Sequence, residues 1–154
     1  RVRIDQGTEK INRVRAGIIK ACINRSSQKE ELTVALDRTN YDQAYLCGRL
    51  FATLEKLQQE ASGNALNRTI RDTYFASASV KPAAIFPKLI RLAQNHRKKV
   101  KRYDKWIQEI IGELNQSFPE RLTLKEQGNF IVGYYQQYQA FFEKTNKPSE
   151  TEEN

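Results

Sequence analysis

The 154-residue chain has no methionine, one histidine, one tryptophan, two cysteines and four prolines. A single histidine excludes an HExxH helix and a histidine pair for a metal, and it leaves little scope for a histidine-based catalytic arrangement. His96 falls among residues expected to face inward, where a satisfied core histidine is the simpler role. Neither a GxxxxGK(S/T) loop nor a GxGxxG turn is present to cradle the phosphates of a nucleotide. Cys22 and Cys47 lie on apolar helical faces with no second cysteine near either, which suits buried free thiols better than a disulfide or a zinc site. Converging carboxylates are also missing. Asp37, Asp42 and Asp104 sit near expected helix ends, where capping explains them, and Asp72 has Arg68 and Arg71 close by for pairing. The expectation is a protein that is not an enzyme, with no cofactor and no metal.

No apolar run approaches the roughly 20 residues that a bilayer span requires. The sequence does not open on a basic segment followed by an apolar one, so a cytoplasmic location is expected, and the sequons at Asn24, Asn67 and Asn115 are taken as chance occurrences. A start at Arg1 without any methionine points to a chain that lacks its natural start or is cut from a longer one.

Charge is what the chain has in excess, and it is unevenly spread. The net charge is +8. Between Lys81 and Lys105 there are nine Lys or Arg against one acid, and between Arg1 and Arg25 seven against two. The segment from Glu143 to Asn154 carries four acids against two lysines, so the rest of the chain stands at +10. A body of that kind attracts polyanions.

Strand signals are scarce and helical spacing recurs, so the fold is expected to be all-α, a compact bundle of five or six helices. Residues 1–8 are expected to be extended or poorly ordered, 9–142 to form the bundle, and 143–154 to be a disordered acidic tail. Ile11, Val14, Ile18 and Cys22 define a first helix from Glu9 to Ile23, and Ser27 with Glu30 opens a shorter one toward Leu36. Asp42 caps a longer helix with Leu46, Leu50, Leu54, Leu57 and Ala61 in a stripe, closed by "SGN" at Ser62–Asn64. A helix at Thr69–Ala76 is followed by "SASVKP" as a loop that delivers Pro82 into the next first turn; Pro87 either kinks that helix or starts it. Tyr103, Ile107, Ile110, Ile111 and Leu114 form the next core face. Thr123 with Glu126 opens a last helix whose core face is Leu124, Ile131, Tyr135, Tyr138 and Phe142, with Tyr134 and Phe141 beside it.

Projected on a helix, Lys88, Arg91, Lys98, Lys99, Arg102 and Lys105 fall within an arc of about 120°, opposite Ile85, Leu89, Leu92, His96, Val100 and Tyr103. The arc is continuous only if the helix runs unbroken through Arg97–Arg102; a turn there splits it into two adjoining patches. Solvated helices usually mix acids among their lysines, so one acid among nine cations points to a polyanionic partner. An anionic membrane suits poorly, because the opposite face is needed for the core. With no helix-turn-helix, zinc knuckle or aromatic RNP pattern, phosphate contact without sequence preference is the natural expectation.

Three blocks, "AYLCGRLFATLEKLQ" at Ala44–Gln58, "NRTIRDTYFASASVKPAAIFPKLIRLAQNH" at Asn67–His96 and "FPERLTLKEQGNFIVGYYQQYQAFF" at Phe118–Phe142, resemble in order the C-terminal part of the large subunit of the type I-C CRISPR surveillance complex, Cascade. Arg68 and Asn95 depart from that family's usual residues. In the family this region is also made as a free small subunit by internal translation initiation, which this chain resembles. The resemblance implies a helical-bundle subunit in the belly of the complex, with the backbone and large subunits, crRNA, adjacent copies of itself and target DNA as partners. It implies a role in stabilising the R-loop by holding the displaced non-target strand. The expected phosphate contacts are Lys88, Arg91, Lys98, Lys99, Arg102 and Lys105, with Arg13, Lys20 and Arg25 as a second bank. Tyr103 and Trp106 are potential base-stacking residues at the margin, although such spacing more often means core. The competing expectation is an assembly subunit whose stripe docks on acidic patches of its neighbours without touching DNA.

Overall fold

The computed structural model describes residues 35–143. The predicted helix Glu9–Ile23, nearly all of the segment opened by Ser27, and the tail beyond Glu143 lie outside these residues. The described residues belong to one compact unit that begins at Ala35.

Helix α1 (Gln43–Ser62) starts where Asp42 Oδ1 accepts from the Tyr45 amide at 2.9 Å, a cap worth about 1 kcal/mol. It stops at Gly63, whose φ of 54° is open to glycine at no steric cost, and a single 3-10 turn (Gly63–Ala65) follows. Helix α2 (Ile70–Val80) opens on a reciprocal capping box between Thr69 and Asp72. Asp72 accepts from the Thr69 amide at 2.9 Å, so its carboxylate serves the backbone rather than the expected arginines. This helix runs past Ala76 to Val80, so most of "SASVKP" is helical and not a loop. Only Lys81 interrupts the chain, at φ −131° and ψ 71°, because the ring of Pro82 bars the residue before it from the helical region.

Helix α3 (Pro82–Lys99) takes Pro82 in its first turn and continues through Pro87, which has no amide hydrogen to offer the Ala83 carbonyl. Its inward residues are Phe86, Leu89 and Ala93, while Leu92, expected on the core arc, is 47% exposed. The helix ends at Lys99. Val100 is extended, Arg102 and Tyr103 turn, and helix α4 (Asp104–Glu113) begins. The unbroken helix from Lys88 to Lys105 therefore does not exist. Two gains explain the break. Asp104 moves to a helix N-terminus, where the macrodipole favours an acid, while Arg97, Lys98 and Lys99 occupy the last turn of α3, where it favours cations. Tyr103 is also buried, with its hydroxyl on Glu60. On α4, Ile107 and Ile110 are buried and Ile111 is exposed, while Leu114, the extended residue that follows the helix, is half-buried.

The Thr123 amide donates to Glu126 Oε2 at 2.7 Å and the Glu126 amide to Thr123 Oγ1 at 3.3 Å, which opens helix α5 (Leu124–Glu143) as its sequence predicts. Five α-helices and no strand among the described residues make the fold all-α.

Helices α1 and α5 form the most extensive pair. Leu46, Leu50, Leu54 and Leu57 are all buried, each contributing about 1.5–3 kcal/mol. A Cβ at Gly48 would lie 1.9 Å from the Phe130 carbonyl oxygen, and one at Gly133 would lie 2.2 Å from the Tyr45 carbonyl oxygen, so backbone meets backbone at both glycines. This contact selects the inward face of α5 as Phe130, Gly133, Tyr134 and Gln137. The stripe expected in the core is turned outward: Leu124, Ile131, Tyr135 and Phe142 are exposed, and Tyr138 is half-buried. Both faces of α5 are apolar, so periodicity could not choose between them.

Phe51 of α1 is the hub of the core. Its ring lies 5.4 Å from Phe75, 6.4 Å from Phe86, 6.1 Å from Phe130 and 6.0 Å from Tyr134, all edge-on, which ties α2, α3 and α5 to α1. Polar groups are buried with it. Arg49, 1% exposed, donates from Nε to Gln137 Oε1 at 3.0 Å and pairs with Glu109 at 3.3 Å. Glu55 accepts from the Tyr134 hydroxyl at 2.5 Å. Cys47 is a buried free thiol, pushed up to about 12 by its burial.

Replacing Gly48 or Gly133 with alanine is expected to lower stability by about 2–3 kcal/mol or more, because the two backbones must separate. Gly128, with nothing within 4 Å of its would-be Cβ, is the control: alanine there should raise stability by about 0.5–1 kcal/mol through helix propensity. Thermal melts of the three variants check both signs. Burial pushes the Glu55 carboxyl above its ordinary 4.5, against the opposing effects of the Tyr134 hydroxyl and Arg71. Its contribution to stability is therefore complete below that ordinary value and is lost as pH rises through the raised one. Glu55→Gln abolishes this decline, so its urea-unfolding stability relative to the native chain should grow between about pH 4 and pH 7.

Candidate nucleic-acid interface

The cations singled out in the sequence fall into two groups. Lys88, Arg91, Lys98 and Lys99 are exposed on α3, the first three spaced by three and seven so that they share a face. Arg102 lies in the turn and Lys105 in the first turn of α4, both exposed. The track is two adjoining patches rather than one stripe. Arg13, Lys20 and Arg25 lie outside the described residues.

The turn that divides the track also builds something. Gln94, Arg97, Lys98, Lys101 and Asp104 line a shallow depression of about 230 Å³ at the end of α3. Arg97 Nε donates to Asp104 Oδ1 at 2.6 Å, so the one acid of the segment neutralises one cation and holds it in place. Lys98 and Lys101 remain beside them as exposed ammonium groups. A straight helical projection puts Arg97 and Lys101 outside the cationic arc. The change of direction at Val100 is what brings them to the site.

Arg102 is partly engaged: its guanidinium pairs with Glu60 and donates to the Tyr103 hydroxyl at 2.7 Å. The Tyr103 phenol, pushed up to about 12 by burial and by the neighbouring Glu60, stays protonated and bridges the two. This locks the turn to the end of α1. His96 is half-buried, and its burial, with help from Lys99, holds its imidazole below the ordinary value, so it adds no charge to the patch near neutral pH. Tyr103 is buried in the core, while Trp106 is half-buried, edge-on to Phe141 with the Arg38 guanidinium 4.6 Å from its ring.

Other cations rest on rings. Lys88 Nζ lies 5.0 Å from the Tyr74 ring, Lys56 Nζ 4.9 Å from Phe142, and the Arg71 guanidinium 5.1 Å from Tyr134 and 5.6 Å from Tyr135. Lys56 and Arg71 carried no signal in the sequence, because the rings they meet belong to the face of α5 assigned to the core.

Among the described residues no group of three His, Cys, Asp or Glu is placed to hold a metal ion, and no helix is long and apolar enough to cross a membrane. The arrangement presents fixed positive charge on a helical framework, with room for phosphate oxygens at the turn. No curated protein matches the sequence. Residues 1–142 match the family described as CRISPR-associated protein (Cas_Csd1), and with that span covered the chain belongs to the Cas_Csd1 family of CRISPR-associated proteins.

Proposed function

We propose that this chain is a non-catalytic small subunit of a type I-C CRISPR RNA-guided surveillance complex, and that it stabilises the R-loop by gripping the sugar-phosphate backbone of the displaced strand. The observation that carries this reading is the run from Lys81 to Lys105, nine cations to one acid, with that acid consumed by Arg97. Membership of a CRISPR-associated family supplies the context. Base pairing delivers sequence specificity in RNA-guided systems, so a backbone-only contact is sufficient for this role. Cations mounted on helices and on a turn locked by Glu60 are pre-organised, and so lose less conformational entropy on binding than cations on a mobile loop.

A second reading has its own observation. Arg102 already pairs with a carboxylate, Glu60, so this surface accepts acidic side chains as well as phosphates. An assembly subunit would dock the same patch on acidic neighbours and leave DNA untouched.

The double variant Lys98→Glu, Lys99→Glu separates the two, and it spares Arg102, whose reversal would set two glutamates together. Backbone gripping predicts normal complex assembly with weakened capture of target duplex, read by gel shift of the purified complex. Docking predicts loss of the subunit from the complex. Gripping also predicts a salt signature: about six neutralised phosphates on a single strand give a slope of log K against log salt near −4, reduced in magnitude by about 0.7 for each phosphate that is no longer neutralised.

A further inference from the structure

We infer that the cationic track continues from Lys88 across α2 onto the outer face of α5, as a ladder of cations interspersed with aromatic rings that stacks the unpaired bases of single-stranded nucleic acid. This rests on the proposed function and adds base contact to it.

The ladder can be followed residue by residue. Lys88, the first cation of the α3 group, sits 5.0 Å from the ring of Tyr74. Tyr74 and Arg71 are three residues apart on α2 and so are neighbours on its surface. Arg71 lies over the Tyr135 ring at 5.6 Å and donates to its hydroxyl at 2.8 Å. Tyr135, Tyr138 and Phe142 are spaced by three and four along one face of α5. Lys56 closes the series, 5.9 Å from Tyr138 and 4.9 Å from Phe142. Tyr135 is 50% and Phe142 48% exposed, so both rings offer area to a ligand.

The spacing of charge and ring selects the occupant. A single strand alternates an anionic phosphate with a flat base, so cations between rings neutralise one while the rings stack the other. A duplex hides its base faces in its own stack and could use only the cations. An apolar protein surface would have to take the charges of Arg71 and Lys56 out of water without supplying an anion, which is unfavourable. Arg71 gives one donor to Tyr135 and, as a guanidinium, has others for phosphate oxygens.

The test uses the full chain and two fluorescent oligomers with the same number of phosphates, an oligothymidylate and its abasic counterpart. Stacking predicts tighter binding of the oligothymidylate. Tyr135→Ala and Phe142→Ala should each weaken that binding by about 5- to 100-fold, with abasic binding and the salt slope unchanged. Tyr135→Trp, which keeps a stacking ring, should retain affinity and shows that the site rather than the fold was altered.

Equal affinity of the native chain for both oligomers, failure to bind oligothymidylate at low salt, or parallel losses on both in Tyr135→Ala overturns the ladder. So does loss of the Tyr135→Ala subunit from the assembled complex with oligothymidylate binding intact, which would make this face a protein interface. Lys98→Glu, Lys99→Glu keeps the two readings apart: if it weakens both oligomers while the ring variants weaken neither, backbone gripping stands without the ladder. If it also changes nothing, backbone gripping falls as well.

Discussion

The contact on which the rest of the molecule depends is the bare-backbone approach of α1 and α5 at Gly48 and Gly133. Hydrophobic burial is non-directional and would be served almost as well by either apolar face of α5, so it cannot set the rotation of that helix. Two missing side chains can. With Gly133 against the Tyr45 carbonyl, Phe130, Tyr134 and Gln137 must point inward. Phe51 then collects its edge-on partners, and the Tyr134 hydroxyl reaches Glu55. The same rotation sends Ile131, Tyr135 and Phe142 to the surface. A steric rule at two positions thus decides both the core and the composition of an outer face.

The buried polar groups work in the same direction. Arg49 is almost fully enclosed and meets Gln137 of α5 and Glu109 of α4 at once. A charge so placed adds little net stability over an apolar side chain of similar volume, but it makes any packing that leaves it unpaired costly by several kcal/mol. Alternative rotations of α4 or α5 fail that condition. Arg49 is therefore a specificity device more than a source of strength, complementary to the glycines: they permit one approach, and it penalises the others.

Much of the fold was legible because it rests on local chemistry. Asp42, Gly63, Thr123 with Glu126, and Pro82 act through their own backbone neighbourhoods, and each begins or ends a helix where its residue type demands. The Thr69–Asp72 box is equally local, but an aspartate beside two arginines suggested an ion pair instead. The misreadings of which helix faces are buried are tertiary. The outward face of α5 follows from glycines that matter only once another helix lies against them. Leu92 is exposed because Phe86, Leu89 and Ala93 of the same helix were taken by the core. The candidate site was legible as composition and not as geometry: the cations between Lys81 and Lys105 were visible, but the turn at Val100 that regroups them depends on Tyr103 finding Glu60 some 43 residues away in sequence.

That regrouping bears on how such a surface would hold a flexible polyanion. Exposed charges farther apart than a Debye length, about 8 Å at physiological salt, act nearly independently. A long straight row of lysines then gains little beyond the sum of its members. Drawing Arg97, Lys98 and Lys101 around one depression places them within each other's field, so the mutual repulsion that Asp104 only partly relieves is released when an anion enters. Resting Lys88 on Tyr74 and Lys56 on Phe142 adds a different advantage: the cation–ring contact restrains a side chain that would otherwise lose rotamer freedom on binding. Concentrated charge at the turn and restrained charge along the rings favour an anionic chain by separate means, one electrostatic and one entropic. Neither depends on the identity of a base.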